Sequence, residues 1–182
     1  VTDGCGAGMH SEVGAQLGAR FVLDYCIRNC KKGPFDAAVL LQSLIEYLHQ
    51  LCDLQQPRDR VEFIEQHLQF TLLGFIARPQ QTDIFYAGDG VVMLDDRLMQ
   101  LDHGNRPRYI GRHLLGEKAS MHTDRVATPS LQRLLIGTDG LRDLPTPIPA
   151  LFDVPDHLHD AVALPRHLTS LAQAGVLKDD VA

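Results

Sequence analysis

Two strand-like runs joined by a short polar turn limit what this chain can fold into. The segment "VEFIEQHLQFTLLGFIA", beginning at Val61 and closed by Pro79, is rich in strand formers. "PQQTD" reads as a turn, and "IFYAGDGVVMLDD" reads as a second strand interrupted at Gly88–Gly90. Together they predict an antiparallel hairpin, followed by a short strand near Arg97–Leu101. Helical patterns precede it. Ser11 is placed to cap a first helix whose Val13, Leu17 and Phe21 recur every four residues, and "KKGP" at Lys31–Pro34 stops it. A second helix is expected over Phe35–Leu54, with Val39, Leu40, Leu44, Ile45, Leu48 and Leu51 as its apolar stripe. "NRPRYIGRHLLG" reads as an irregular loop entering a short turn, and "LQRLLIGTDGL" as an apolar run ending at a corner. Five of the ten prolines fall in Pro145–Pro165, which predicts a loop or linker. "PRHLTSLAQAG" reads as a last helix, with Pro165 near its start and Gly175 as its stop. Helices and hairpins are segregated along the chain, which implies α+β and not a doubly wound parallel sheet.

Composition narrows the function classes. The 182 residues suffice for one domain with a sizeable core, and 45% hydrophobic with 22% charged residues is an ordinary globular balance. A net charge of −6 argues against a nucleic-acid partner. No apolar run approaches a membrane span, so no membrane partner is expected, and no secretory signal is visible. Cys5, Cys26, Cys30 and Cys52 form no C-x-x-C pair, although Cys26 and Cys30 share a helix face. They read as reduced, partly buried thiols of a cytoplasmic protein rather than as a zinc site.

Aspartates at corners carry the chemistry. Asp3 lies in "TDG", Asp89 in "GDG", Asp139 in "TDG" and Asp179 in "KDDVA". Each taken alone is an ordinary turn residue. Taken together, strand ends followed by glycine can aim several carboxylates at one point, and hard oxygen donors gathered in this way suit Mg²⁺ or Mn²⁺. The glycines of "GCGAG" do not fit either nucleotide-loop spacing. His157 and His159 in "DVPDHLHD" read as a solvated loop, and His49, His67 and His167 as surface or capping residues.

These corners resemble the motifs of the metal-dependent type-2C Ser/Thr protein phosphatases. "VTDGCGAGMHSEVGAQLGARF" resembles the family's "DG-x-G-G" strand end leading into a helix, and its details are most similar to a bacterial subgroup. "IFYAGDGVVML" resembles the "GDS-R" hairpin, "LLIGTDGLRDL" the "SDGL-x-D" motif and "DDVA" the "DN-I-T" motif, all in the family's order. The resemblance implies a four-layer α/β/β/α sandwich of two antiparallel sheets, with metals in a cleft at one end. It also implies hydrolysis of phosphoserine or phosphothreonine in a phosphoprotein substrate by a metal-bridged water. By position, Asp3 matches the metal-bridging aspartate, Gly4 its carbonyl ligand, and Asp139 and Asp179 carboxylates of the second ion. Asp89 matches the aspartate of a third, weaker ion. The cofactors implied are therefore two or three Mn²⁺ or Mg²⁺ ions.

Departures from the family pattern are equally specific. Cys5 stands where many members carry a histidine taken as a general acid, so it is either a proton donor or a small packing residue. "GDG" replaces "GDS", and Val91 stands where an Arg is usual. The family's first strand, with its phosphate-gripping Arg and an acidic residue, is not in this chain. Residues 1–182 are accordingly expected to be a single phosphatase-like domain truncated at both ends, with its N-terminal strand or strands missing. Arg142, three residues after Asp139, is the candidate substitute for that Arg. The competing reading is a weak or inactive phosphatase-like module that binds partners or phosphopeptides without turnover.

Overall fold

The computed structural model describes residues 1–30, 33–101, 108–160 and 162–177. Among the described residues, seven strands form two antiparallel sheets. The first contains β1 (Thr2–Gly4), β2 (Phe70–Ala77), β3 (Gln81–Ala87) and β6 (His122–Ala127), in that order. The second runs β5 (Arg97–Leu101), β4 (Gly90–Leu94), β7 (Leu134–Gly137). The expected hairpin is present as β2–β3, with Leu72 opposite Ala87 and Ala77 opposite Thr82. The segment read as one interrupted strand is two: β3 belongs to the first sheet, and β4 crosses to the second. The crossing is possible at Gly88 and Gly90 because their φ angles of +93° and +142° are open to glycine and costly for other residues.

Three apolar layers hold the two sheets and the flanking helices together. Helices α1 (Ser11–Asn29), α2 (Ala37–Gln55) and α3 (Arg60–His67) cover the outer face of the first sheet, around Leu40, Leu44, Leu48, Ile64, Phe70 and Phe85. Leu40, Leu44 and Leu48 are fully buried, each contributing about 1.5–3 kcal/mol of transfer free energy. Leu73, Ile84 and Val92 pack between the sheets. Val91 and Met93 on the second sheet's outer face meet Ile148, Leu151, Leu164 and Leu168, the last two from α5 (Ala163–Gln173). The order helix, sheet, sheet, helix is the α+β sandwich that the motifs implied. No described helix is long and apolar enough to cross a membrane.

Several local expectations are corrected. The stretch from Val61 does not begin as a strand. Asp59 accepts from the Glu62 N–H at 2.9 Å, the first half of a capping box, and so starts α3; only Phe70–Ala77 is extended. Ser11 is the first residue inside α1 rather than its cap, and its hydroxyl donates back to the Cys5 carbonyl at 2.8 Å. The buried face of α1 is made by Gly14, Ala15, Gly18 and Val22, whereas Val13 is exposed. A Cβ at Gly14 would overlap the His67 carbonyl, and one at Gly18 would overlap the Phe70 ring, so small residues set the close approach of this helix. Asp36 caps α2 through Ala38 N–H and Val39 N–H, so that helix starts two residues later than the periodicity suggests, and Val39 is exposed. Pro145–Pro165 is not a linker. A 3₁₀ turn (Ile148–Asp153) and α4 (Pro155–His159) occupy it, and Ile148 and Leu151 are core residues. Prolines here start helical turns, where the missing N–H costs nothing. His157 accordingly lies in α4 rather than a solvated loop, with Nδ1 2.9 Å from the Leu151 carbonyl oxygen and its ring beside His167. Lys31 and Lys32 of the expected helix stop lie outside the described residues.

All four cysteines are free thiols, as expected. Burial, followed by the neighbouring Cys30, pushes the Cys26 thiol up to about 12. At pH 8 the thiolate is then about one part in ten thousand, against roughly a quarter for an ordinary thiol. Iodoacetamide at pH 8 is therefore expected to label Cys26 far more slowly than a free thiol, with the rate rising about tenfold per pH unit up to pH 9.5. Peptide mass spectrometry reads this directly; labelling of Cys26 at a free-thiol rate would show that burial does not protect it.

Candidate active site

One end of the sandwich gathers the aspartate corners, and strand register explains how. β1 pairs with β2 so that Asp3 lies opposite Thr71 and Gly4 opposite Phe70. Side chains alternate along β2: Phe70 and Leu72 face the helices, and Leu73 faces the second sheet. Thr71 and its cross-strand partner Asp3 therefore share the face between the sheets. The corner holding Asp89 lies on the same spot. A Cβ at Gly88 would sit 2.7 Å from Thr71 Cγ2, and one at Gly90 would sit 2.7 Å from the Gly137 carbonyl oxygen. Gly137 ends β7, buried Thr138 follows, and Asp139 opens a 3₁₀ turn (Asp139–Asp143). Asp3, Asp89 and Asp139 are thus brought to the end of the sandwich by three separate chain reversals.

The backbone around Asp3 is closely constrained. Cys5 N–H donates to the Gln69 carbonyl at 2.9 Å, extending the β1–β2 ladder by one residue. The Cys5 carbonyl accepts from Gly8 N–H at 2.8 Å and from the Ser11 hydroxyl, which curls the glycine segment under α1. At Gly4 a Cβ would come within 2.6 Å of Ser11 Oγ and 2.8 Å of Glu12 N. Only glycine lets the strand run into the helix here, and this answers the requirement for a Gly after Asp3.

Tyr109 joins these elements, and the sequence pattern did not single it out. It precedes a 3₁₀ turn (Ile110–Leu115) in which Gly111 packs so tightly on the Leu68 carbonyl that no side chain would fit. This seats Tyr109 beside the Gln69–Cys5 pairing. Burial first, then the hydrogen bond to Cys5, then the charges of Cys5, Asp89 and Asp139, raise its phenol well above the ordinary tyrosine value. The hydroxyl is a neutral donor at physiological pH. The only signal in the sequence was an aromatic within the polar stretch "NRPRYIG", which is too common to be read.

The other candidates are placed differently. Arg142 lies on the 3₁₀ turn after β7, and its Nη2 donates to the Leu101 carbonyl at 2.8 Å, tying that turn to the end of β5. Asp179 lies outside the described residues. Among the described residues, no group of three or more His, Cys, Asp or Glu side chains is close enough to hold a metal ion. The donor chemistry nevertheless fits a hard cation. Three carboxylates and a backbone carbonyl are oxygen donors, and Thr71 Oγ1, on the face shared with Asp3, is buried without a hydrogen-bond partner among the described residues.

The protein phosphatase 2C family matches residues 1–174. Among solved structures, the chain is similar to "PppA, a key regulatory component of T6SS in Pseudomonas aeruginosa" at 15% identity and a TM-score of 0.48. That match covers 76% of this chain and 66% of the other. No curated protein sequence matches. Motif order, two antiparallel sheets between helical layers, and a family match over nearly the whole length lead to one assignment: the chain belongs to the protein phosphatase 2C family.

Proposed function

We propose that this chain carries a metal-dependent phosphomonoesterase site for phosphoserine or phosphothreonine in proteins. The observation that supports it is the convergence of the Asp3, Asp89 and Asp139 corners through β1–β2 pairing and the Gly88–Gly90 crossing. Asp3, the Gly4 carbonyl, Asp139 and Asp179 would hold two Mn²⁺ or Mg²⁺ ions, with Asp89 serving a third. Such ions supply Lewis-acid activation of water and neutralise phosphate charge. The chain's own part is to fix the oxygen donors on a rigid backbone. Asp139 opens a turn directly after a strand, and the ladder bond at Cys5 stops Asp3 from swinging. Tyr109 keeps its proton at neutral pH and so presents a donor, not an anion, beside the carboxylates. No side-chain nucleophile is required. Arg142 would orient phosphate from the rim of the site, at the cost of its bond to the Leu101 carbonyl.

A second reading, a binding module with little turnover, is favoured by Cys5 at the place of the usual general acid. One experiment separates the two. The protein is assayed with p-nitrophenyl phosphate and a phosphothreonine peptide, with Mn²⁺ and with excess EDTA. Hydrolysis that needs Mn²⁺ and disappears in EDTA is the expected result. Phosphopeptide binding without turnover at millimolar Mn²⁺ would instead establish the binding module.

A further inference from the structure

The stripe of Val13, Leu17 and Phe21, spaced as an apolar helix face, is not what buries α1. Gly14 and Gly18 make the close contacts, on the His67 carbonyl and the Phe70 ring. The neighbouring stripe is therefore left along the seam where α1 meets the other two helices. Phe21 is covered there, its ring stacked on Tyr47 of α2 with 4.7 Å between centroids. Val13 and Leu17 are covered incompletely: Val13 is 44% exposed and Leu17 half-buried. Together with Leu51 of α2, Phe63 of α3 and its C-cap Leu68, they border a cavity of about 270 Å³ between the three helices.

The lining defines what could fill it. An apolar cavity of about 150 Å³ stays dry and takes benzene, so this one has room for two fused rings. Two polar groups stand at its border, Gln55 and His67. His67 Nδ1 lies 3.2 Å from the Phe63 carbonyl oxygen. A carbonyl only accepts, so in the neutral ring Nδ1 carries the proton and Nε2 is an acceptor. No Lys, Arg, Asp or Glu lines the cavity, which disfavours an ionic ligand. Every lining residue belongs to a helix or its cap, so an extended peptide would find no strand edge to pair with.

We propose that this cavity binds a small neutral molecule of two fused aromatic rings carrying one O–H or N–H donor, with the rings among Val13, Leu17, Leu51 and Phe63 and the donor on His67 Nε2. The inference is independent of the phosphatase reading. The cavity is separate from the aspartate corners but not from the segment behind them. Gln66, next to His67, accepts from His10 N–H at 3.1 Å through its carbonyl and from Met9 N–H at 2.8 Å through Oε1. A ligand that fills the gap between α1 and α3 thereby braces the segment that follows Asp3 and Gly4.

The test uses 2-naphthol as the probe and 2-methoxynaphthalene as its counterpart without a donor. Titration of methyl-labelled protein, followed by NMR, is expected to shift the Val13, Leu17, Leu51 and Leu68 signals saturably, with a Kd on the order of 0.1 mM. The methyl ether should bind about tenfold more weakly, the loss that follows from one missing hydrogen bond. His67→Phe, which keeps a ring against Phe63, should remove that difference. Val13→Trp, a larger side chain at an exposed position, should abolish binding by filling the cavity. Circular dichroism matching the parent shows that both variants fold. At saturating 2-naphthol, amide exchange at Met9 and His10 should slow. Absence of saturable shifts up to millimolar probe, shifts confined to methyls outside the cavity, equal affinity of the parent for the two compounds, or undiminished binding by Val13→Trp would each overturn the site. Unchanged exchange at Met9 and His10 would overturn the bracing.

Discussion

Replacing Asp139 by Ala is expected to lower Mn²⁺-dependent hydrolysis by on the order of 10²–10³-fold, the loss that follows removal of one preorganised charged group from a reacting centre. The position is well suited to such a test. Asp139 is the first residue of a 3₁₀ turn whose Leu141 N–H bonds the Thr138 carbonyl at 3.2 Å, so the backbone turn does not depend on the carboxylate. Thr138, Gly140 and Leu141 are buried and anchor the turn. Circular dichroism of Asp139→Ala should therefore match the parent. Asp139→Asn keeps one neutral oxygen and should lose less activity than Ala, with weaker Mn²⁺ binding by calorimetry. Turnover of Asp139→Ala within threefold of the parent would remove Asp139 from the site and with it the carboxylate-corner reading.

The second large effect is on stability. Asp83 is 2% exposed, on the helix-facing side of β3. Its Oδ1 accepts from Arg125 Nε at 2.8 Å and Gln81 Nε2 at 2.9 Å, and its Oδ2 accepts from Arg78 Nη2. Arg78 in turn donates to the Gly33 carbonyl at 3.1 Å, linking the β2–β3 turn to the segment after α1. Asp83→Asn keeps the shape but turns an N–H₂ toward a set of donors. We expect it to cost about 3 kcal/mol, because hydrogen bonds from charged groups are lost in a buried position. The exposed Arg125 contributes least of this, since solvent screens it. Against a typical total of about 5–15 kcal/mol this is a large fraction, and it corresponds to a fall in Tm of about 6–12 °C. Asp83 and Asp89 are six residues apart along the chain, roughly 20 Å in an extended strand. Turnover per folded molecule should thus be unchanged, which distinguishes a structural loss from a catalytic one. A fall in stability below about 1 kcal/mol by urea denaturation would show that the network is dispensable.

These two residues also mark the limits of reading the sequence. Asp139 was legible because its signal is local: an apolar run, an aspartate and a glycine specify a strand end and a turn within a few residues. The same holds for Asp3 and Asp89, and for the β2–β3 hairpin. Asp83 was not legible, because Arg125 comes from β6, 42 positions away, and the Arg78 that joins it is itself held by the Gly33 carbonyl, so nothing local marks the network. The helix α3 was missed although its cap was written in "DRVE", since β-branched and aromatic residues outweighed a single capping signal in the pattern. Pro145–Pro165 was misread because proline marks helix starts as well as breaks, and burial of Ile148 and Leu151 is what distinguishes them.

The α+β class, the first two helices, the β2–β3 hairpin, the last helix and the aspartate corners with the glycines that let the chain turn at them are local properties of the sequence. These depend on φ/ψ preferences and periodicities confined to a few neighbouring residues. Tertiary packing alone sets Asp3 opposite Thr71, carries the Gly88–Gly90 crossing over that same Thr71, and makes glycines rather than leucines the buried face of α1. Those outcomes are fixed by strand register and close packing between segments tens of residues apart, where one carbonyl or ring edge permits or forbids a side chain.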